Sequence, residues 1–301
     1  MESLSRSPTA ALRDFHLEAR GGTKIWVHRC IADQKFVDQI ADCDHLLDRP
    51  ECQIIKDQKK IKVGRLNLKI AGRERHLYIK RYNAFSLRYR LGSLVSCSGA
   101  VKSLKGATVL RDAGVHTPNP MAAVENRVKG ILTKSFFVTE EIHGAKTADA
   151  YWLDDLSARQ DEDGRQRRQN FLRDLASLFR SLHAQQIYHN DLKDANILVV
   201  SEPDHAAQLF FLLDLEGVKR FARLSDKRRI KNLVQLNRTL GRYVCRSDKL
   251  SFMKSYLGSG FFDRGQKRRL IQQVVSESDR LDALKNLLSD SGHTGIGAGR
   301  A

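Results

Sequence analysis

The sequence predicts an α+β protein of two lobes, in which an antiparallel sheet comes first and a mainly helical part follows. Short apolar runs bounded by turn residues fill most of the first half, as in a sheet. Longer segments with apolar residues at helical spacing dominate the second half. A chain of 301 residues, 41% of them apolar, is long enough for two lobes with a sizeable core.

The first lobe is expected to contain a sheet and two helices. Gly64 and the A-G-R-E segment are interpreted as turn residues between its strands. Gly114 and the T-P-N-P segment are expected to end the second helix. The predicted strands are residues 24–29, 52–56, 60–70, 76–82, 121–125 and 135–141. The predicted helices are residues 32–43 and 96–113.

The second lobe is expected to be mainly helical, with two short apolar strands joined by the polar S-E-P-D-H turn. The strands are residues 197–200 and 209–213, and the helices are residues 165–184, 225–243 and 267–288. The predicted organisation is a flexible N-terminus at 1–20, the sheet lobe at 21–141, the helical lobe at 142–290 and a Gly-rich, disordered tail at 291–301.

The charge balance indicates an anionic partner. The chain has 52 basic and 35 acidic residues, a net charge of +17. Such a surface attracts nucleic acid, an anionic membrane face or a phosphorylated substrate, although it can also serve solubility alone. Only two Trp are present and aromatic residues do not alternate with basic ones, so we expect no nucleic-acid partner. The sequence does not indicate an oligomeric state.

The remaining composition favours a cytoplasmic protein. No apolar run approaches the roughly 20 residues of a membrane span, and the N-terminus lacks a signal-peptide pattern. The five cysteines are scattered and form no C-x-x-C pair, which predicts reduced thiols and no zinc site.

A cluster of polar residues stands out in Y-H-N-D-L-K-D-A-N-I-L-V, residues 188–199. It contains H-x-D-x-x-x-x-N, formed by His189, Asp191 and Asn196, directly before an apolar strand. Eighteen residues after Asn196, a second apolar strand ends in D-L-E-G, which begins at Asp214. An ordinary helix-to-strand loop, with Asp191 as a cap and Asn196 in a turn, would explain the first motif alone. Both motifs in order favour a functional site.

Phosphoryl transfer requires this set of side chains. A carboxylate must accept or orient the proton of the attacking hydroxyl, which makes Asp191 the candidate base. An amide oxygen and a second carboxylate suit Mg²⁺, which makes Asn196 and Asp214 the candidate metal ligands. Lys193 would contact the transferred phosphate, and His189 would brace the loop.

These motifs resemble the catalytic and metal-binding loops of the protein-kinase-like superfamily. Within it, the chain looks most like the bacterial lipopolysaccharide kinases, which phosphorylate Kdo or heptose of the inner core. The resemblance covers about residues 60–245. Besides the two loops, it is carried by Y-I-K-R-Y at 78–82, G-V-H-T-P-N-P-M-A-A-V-E at 114–125 and the basic run L-S-D-K-R-R-I-K-N-L-V-Q-L-N-R-T-L at 224–240.

The resemblance implies a two-lobed protein-kinase-like fold and a MgATP-dependent kinase. Lys80 would bind the α- and β-phosphates of ATP, and the backbone at Glu140 and Ile142 would meet the adenine. The acceptor would be an anionic, lipid-linked saccharide. The basic helices at 225–243 and 264–270 would then make peripheral contact with the cytoplasmic face of the inner membrane, unless they form only a solvated surface.

The sequence departs from the kinase pattern at two places. No G-x-G-x-x-G precedes Lys80, and only K-V-G-R-L-N with Arg65 could supply cover for the phosphates. The helix at 96–113 lacks the glutamate that holds the nucleotide lysine in protein kinases, and it contains Lys102 and Lys105. Another carboxylate could replace it, Lys80 could be held differently, or catalysis could be weak. Glu216, the extra residue of D-L-E-G, is interpreted as a surface charge.

Three other functions fit parts of the pattern. H-x-D-L-K also occurs in protein Ser/Thr kinases, but only about 85 residues follow Asp214 and no A-P-E segment is present. Antibiotic kinases take cationic acceptors, which a chain of net charge +17 would repel. The missing glutamate would suit a catalytically weak, kinase-like binding module, whereas the intact Asp191, Asn196 and Asp214 argue against it.

Overall fold

The structure is a computed structural model that describes residues 12–31, 33–84, 92–94, 96–158, 161–201 and 208–291, with side chains to residue 287. The chain forms two units. Unit 1 comprises Met1–Ala145 and Phe211–Ala222, and unit 2 comprises Lys146–Phe210 and Arg223–Ala301. None of the described helices is long and apolar enough to cross a bilayer.

Unit 1 is built on a seven-stranded antiparallel sheet with the order β1-β2-β6-β7-β5-β4-β3. Its strands are β1 (Phe15–Arg20), β2 (Thr23–His28), β3 (Gln53–Asp57), β4 (Ile61–Ile70), β5 (Arg73–Asn83), β6 (Pro120–Val128) and β7 (Ile131–Glu140). Its helices are α1 (Gln34–Ile40), α2 (Cys43–Leu47) and α3 (Gly99–Arg111). The antiparallel sheet predicted for this half is therefore confirmed.

The alternation of side chains along β5 determines what each face of the sheet does. Leu77 and Ile79 are fully buried in a core cluster that also contains apolar residues of α1 and α2. Lys80 and Tyr82 have the opposite parity and therefore point to the other face. The ring of Tyr82 contacts α3 at Gly99, where an added Cβ would lie 2.7 Å from the ring. The sheet thus separates an apolar core from the face that carries Lys80.

Unit 2 is mainly helical. Its helices are α4 (Ala148–Tyr151, continued by a π-turn at Trp152–Leu156), α5 (Glu162–Ala184), α6 (Asp226–Arg238), α7 (Arg246–Leu257) and α8 (Arg264–Ser291). Its short strands are β8 (Lys146–Thr147), β9 (Ile187–Tyr188) and β10 (Ile197–Ser201). Strand β8 pairs antiparallel with β10. Two further strands are β11 (Gln208–Leu212), within which the chain passes from unit 2 to unit 1, and β12 (Lys219–Arg220) of unit 1.

Aromatic side chains and α5 form the core of unit 2. Phe171 contacts Tyr151, Trp152 and Phe210 with ring centroids 5.6–5.8 Å apart. Eight residues further along α5, the ring centroid of Phe179 lies 5.9 Å from that of Phe252 in α7. A cavity of about 530 Å³ lies between α5, α6, α7 and α8 and is lined mainly by aliphatic residues.

Several details differ from the sequence-based expectation. Residues 15–20, expected to be flexible, form β1, because pairing with β2 satisfies their backbone. Gly64 is not a turn residue but lies within β4, where a Cβ would come within 2.6 Å of Leu47 and Cys52. Helix α7 is not predicted by the sequence, since only two of its residues, Phe252 and Tyr256, are buried and they give too weak an apolar pattern. The S-E-P-D-H turn at 201–205 lies largely outside the described residues, as does the tail beyond residue 291.

The expected boundary between the lobes also differs in one respect. The first segment of unit 1 ends at Ala145, near the expected boundary at residue 141. The segment that contains Asp214, which was expected in the helical lobe, groups with unit 1 instead. The reason is local, because Leu212 N donates to the His116 carbonyl and Leu215 packs closely on α3.

Candidate active site

Strand β5 holds Lys80 in the middle of the sheet of unit 1. Its neighbours across the strands are Val63 in β4 and Phe137 in β7. The Lys80 Nζ donates to Asp214 Oδ1 at 2.5 Å, and both side chains are partly exposed. The structure therefore brings together two residues that the sequence predicted for the nucleotide and metal sites.

The surroundings of Lys80 keep its ammonium charged. Burial acts to lower the pKa of Lys80, but the nearby Tyr82 hydroxyl and the Asp214 carboxylate outweigh it, so that the pKa is raised. The Nζ also lies 5.1 Å from the centroid of the Tyr82 ring. A charged lysine at this position can bind an anion such as a nucleotide phosphate.

The backbone around Asp214 is tightly constrained. Asp214 has left-handed torsion angles, with φ 57° and ψ 55°, an uncommon conformation that is often found at functional sites. The short 3₁₀ turn that follows packs on α3, where a Cβ on Gly106 would lie 2.2 Å from the Leu215 carbonyl oxygen. Glycine at 106 therefore permits the close approach that fixes the turn and, through it, the Asp214 carboxylate.

Helix α3 has no glutamate, and other groups hold Lys80 in its place. In the described part of unit 1, the carboxylate paired with Lys80 is that of Asp214. Helix α3 presents Ser103, whose Oγ lies 2.8 Å from the Tyr82 hydroxyl, and burial raises the pKa of Tyr82 to about 12. Lys105 points elsewhere and contacts Cys97 Sγ at 3.1 Å. Lys80 is thus held by Asp214 and by a neutral tyrosine anchored to α3.

The residues expected to meet adenine lie at the end of β7. The Glu140 carboxylate accepts from Arg75 at 2.6 Å, and the Glu141 carboxylate pairs with Arg65 at 2.9 Å. The N–H of Glu140 donates to the Asn119 carbonyl, and that of Glu141 donates to the His76 carbonyl. These carboxylates therefore stabilise the end of β7. The backbone of Ile142 stays the proposed contact with the adenine. Arg65, expected to cover phosphates, is engaged with Glu141.

In unit 2, the loop between β9 and β10 assembles the three other predicted site residues. Lys193 Nζ donates to Asp191 Oδ2 at 2.7 Å, and Asn196 Nδ2 donates to the same oxygen at 3.0 Å. Asn196 Nδ2 also donates to the Asp191 carbonyl at 2.8 Å. His189 is buried, and its Nδ1 accepts from the Asp191 N–H at 3.2 Å, in keeping with a bracing role.

Helix α6 fixes this loop through two amide side chains that the sequence analysis did not single out. Asn232 is fully buried, and its Nδ2 donates to the His189 carbonyl at 2.6 Å. Gln235 Nε2 donates to the Asn190 carbonyl at 2.8 Å, while its Oε1 accepts from the Leu192 N–H at 3.1 Å. Asn232 Nδ2 also donates to Gln235 Oε1 at 3.1 Å. The backbone around Asp191 is thereby held on both sides.

A buried histidine supports Asn232 in turn. His183 Nε2 lies 3.3 Å from Asn232 Oδ1, and its Nδ1 lies 2.8 Å from the Tyr256 hydroxyl. An amide oxygen can only accept, so Nε2 carries the proton and Nδ1 accepts from Tyr256. Burial lowers the pKa of His183 to about 4, with the Arg229 charge acting in the same direction. His183 is therefore neutral in the folded protein near pH 7.

The oxygen donors suit a hard divalent cation. Mg²⁺ binds proteins through one or two carboxylates and completes its coordination with water and substrate phosphates. Asp214 offers a carboxylate that already pairs with a cation, and Asn196 keeps its amide oxygen for a ligand because its nitrogen binds Asp191. Within the described ranges, no group of three or more His, Cys, Asp or Glu is placed so that it could hold a metal ion.

Comparison with known proteins identifies the family. The profile of the Lipopolysaccharide kinase (Kdo/WaaP) family matches residues 55–256, two thirds of the chain. The chain belongs to this family. The resemblance inferred from the sequence is thus confirmed, and the chain is a kinase of the Kdo/WaaP family. The matched range contains Lys80, Asp191, Lys193, Asn196 and Asp214.

A solved structure confirms the kinase fold. The chain is similar to a structure described as "WaaP in complex with acyl carrier protein", with a TM-score of 0.60 and 18% sequence identity. The similarity covers 83% of this chain and 97% of that chain. The α+β class, with an antiparallel sheet followed by a helical part, agrees with the expected protein-kinase-like fold. No match was found among curated proteins.

The buried His183 predicts a pH-dependent stability for this Kdo/WaaP kinase. Below its ordinary pKa of 6.5, His183 gains a proton in the unfolded chain but not in the folded one, whose His183 pKa is about 4. Stability is therefore lost as pH falls from about 6.5 to 4, by on the order of 3 kcal/mol from this group. Urea unfolding of the wild type and His183→Gln between pH 7.5 and 4.5 would measure it.

We expect the difference in unfolding free energy between wild type and His183→Gln to shrink as pH falls. His16→Gln, at an exposed position, is the control for replacing a histidine by glutamine. A His183→Gln difference that does not change with pH would contradict the neutral, buried assignment.

Proposed function

We propose that the chain transfers the γ-phosphoryl group of MgATP to a hydroxyl of Kdo or heptose in the inner core of lipopolysaccharide. The observation that carries this proposal is the arrangement of Asp191, Lys193 and Asn196 in a chain of the Kdo/WaaP family. One carboxylate oxygen of Asp191 binds both the ammonium and the amide, at 2.7 and 3.0 Å. This leaves the other carboxylate oxygen for the acceptor.

On the acceptor side, Asp191 acts as the base. Its Oδ1 accepts the hydroxyl proton while the hydroxyl oxygen forms a bond to the γ-phosphorus, and the bond from that phosphorus to the ADP oxygen breaks. Lys193 and Asn196 hold the carboxylate in position through Oδ2. Lys193, whose Nζ lies 2.7 Å from Asp191 Oδ2, offsets the negative charge of the transferred group.

On the nucleotide side, Lys80 binds the α- and β-phosphates, and the backbone near Ile142 receives the adenine. As ligands for magnesium we propose Asp214 in unit 1 and Asn196 in unit 2. When bound, Mg²⁺ neutralises charge on the β- and γ-phosphate oxygens. The Lys80–Asp214 pair supports these roles, because it keeps a cation and a carboxylate of unit 1 within 2.5 Å of each other.

The alternative of a protein kinase is disfavoured by the connection after Asp214. Helix α6 begins at Asp226, so only residues 215–225 separate it from Asp214. Part of that connection is the 3₁₀ turn Leu215–Gly217 and the strand β12. Protein kinases place an activation loop and an A-P-E segment at this point. A small-molecule or saccharide acceptor therefore fits this chain better than a peptide.

Phosphate transfer to purified lipid A–core oligosaccharide tests the proposal. With MgATP, the wild type should add one phosphate, detected by intact mass. Asp191→Ala removes the base and Asp214→Ala removes a metal ligand, so each should lower the transfer rate at least about 10³-fold. The matched control is Asp226→Ala, since Asp226 is an exposed residue of the first turn of α6.

Wild-type activity in either Asp191→Ala or Asp214→Ala would refute the assigned roles. If the wild type transfers no phosphate but is stabilised thermally by MgATP, the nucleotide site stands and the acceptor is another molecule. If neither signal appears, the binding-module alternative replaces the proposed kinase reaction.

We also propose that the start of α8 touches the anionic membrane surface that carries the acceptor. Phe262 is 77% exposed and lies two residues before the start of α8. Arg264, Arg268 and Arg269 are exposed within the first turns of the helix, and Lys267 Nζ lies 4.3 Å from the centroid of the Phe261 ring. An exposed aromatic residue followed by several arginines suits the interface of an anionic bilayer.

Vesicle binding checks this contact. Arg268→Glu with Arg269→Glu should weaken binding to vesicles of phosphatidylglycerol and phosphatidylethanolamine at least about tenfold, because each basic residue near the surface contributes about 1 kcal/mol. Arg165→Glu with Arg167→Glu makes the same charge change on the exposed start of α5 and serves as the control. If both double variants lose binding equally, vesicle binding depends on the net charge alone. That result would contradict a local contact at the start of α8.

A further inference from the structure

Helix α6 places two cations on one aromatic ring beside the proposed base. The guanidinium carbon of Arg228 lies 5.9 Å from the centroid of the Tyr188 ring, and Lys231 Nζ lies 5.7 Å from it. Arg228 and Lys231 are three residues apart, so they share one face of α6. Both cations therefore lie within 6 Å of the ring centroid of Tyr188, the residue directly before the loop that contains Asp191.

The contacts around Tyr188 connect this pair of cations to the loop. Lys231 Nζ donates to Asn190 Oδ1 at 3.2 Å, and the Tyr188 hydroxyl donates to the same oxygen at 3.3 Å. Asn190 immediately precedes Asp191 and is exposed. Its amide is neutral, so this bond orients Lys231 without neutralising its charge.

The neighbouring basic residues of α6 are arranged differently. Arg229 lies 4.0 Å from Asp226 within the helix, and its charge acts on the buried His183 and Tyr256. Lys227 is exposed. The ring of Tyr188 thus contacts two of the four basic residues in K-R-R-I-K. Like charges three residues apart on one helix face repel, and an anion bound to both relieves that repulsion.

We infer that Arg228 and Lys231 form an oxyanion site that binds an anionic group of the acceptor next to the hydroxyl to be phosphorylated. This rests on the proposed function, and it narrows the acceptor to saccharides in which a carboxylate or a phosphate lies near that hydroxyl. Arg228 suits either group because its guanidinium donates to two oxygens at once, and Lys231 adds a second charge. Both residues set specificity, and Asp191 remains the catalytic residue.

The experiment uses deacylated core oligosaccharide in three forms: native, with the Kdo carboxylates reduced to alcohols, and dephosphorylated. The double variant Arg228→Gln/Lys231→Gln should raise the KM for native oligosaccharide at least about 100-fold, because each lost charge-assisted hydrogen bond costs about 10- to 100-fold in affinity. The KM for MgATP should stay unchanged. Lys231→Arg, which keeps the charge, should retain most of the wild-type affinity, and Lys227→Gln is the matched control.

The modified oligosaccharides distinguish the two sources of the anion. The wild type should bind only one of the two modified oligosaccharides more weakly than it binds the native form. The factor should be about the same as that by which the double variant binds the native form more weakly than the wild type does. The double variant should not distinguish that form from the native one, because the same contact cannot be lost twice. Loss with the reduced form assigns the site to a carboxylate, and loss with the dephosphorylated form assigns it to a phosphate.

Calorimetric binding of the native oligosaccharide separates this inference from the proposed reaction. If the wild type binds oligosaccharide without transferring phosphate, and the double variant binds it more weakly, the oxyanion site stands and the proposed reaction fails. Equal affinities of the wild type and the double variant would overturn the inference. Equal weakening by Lys227→Gln, or no binding by the wild type, would overturn it as well.

Discussion

One buried amide, that of Asn232, fixes the loop on which the chemistry of unit 2 depends. It donates to the carbonyl of His189 and to Gln235, and it accepts from His183. A fully buried polar side chain must be hydrogen-bonded to be tolerated, so the loop and α6 determine each other's position. Asp191 consequently sits on backbone that is held on both sides, and its carboxylate is oriented by contacts within the same loop.

In unit 1, a sheet and a tight turn position the charged groups. Lys80 projects from the centre of a sheet whose opposite face is the apolar core, and Asp214 meets it from a left-handed turn packed on α3. A helix glutamate is therefore not required to hold the lysine, because Asp214 supplies the carboxylate. The glycine at 106 serves this arrangement, since any side chain there would displace the turn.

The sequence predicted the sheet, most helices and the grouping of Asp191, Lys193 and Asn196, because these depend on short-range patterns. Alternation of apolar residues located the strands of unit 1, and fixed spacing within one loop predicted the candidate site. Contacts distant along the chain were not predictable. The roles of Asn232 and Gln235 depend on 40 or more residues of separation from the loop, and their only signal was a pair of amides in a strongly basic helix.

The most direct test of this account is the effect of Asn232→Ala on the loop and on the transfer rate. We expect faster amide hydrogen exchange at residues 189–192 and a kcat at least about tenfold lower, because the loop loses its buried anchor. Asn237→Ala is the matched control, since Asn237 lies on the same helix and bonds Ser278 at 2.9 Å instead of the loop. Unchanged exchange and unchanged kcat in a folded Asn232→Ala protein would contradict the central role of this amide.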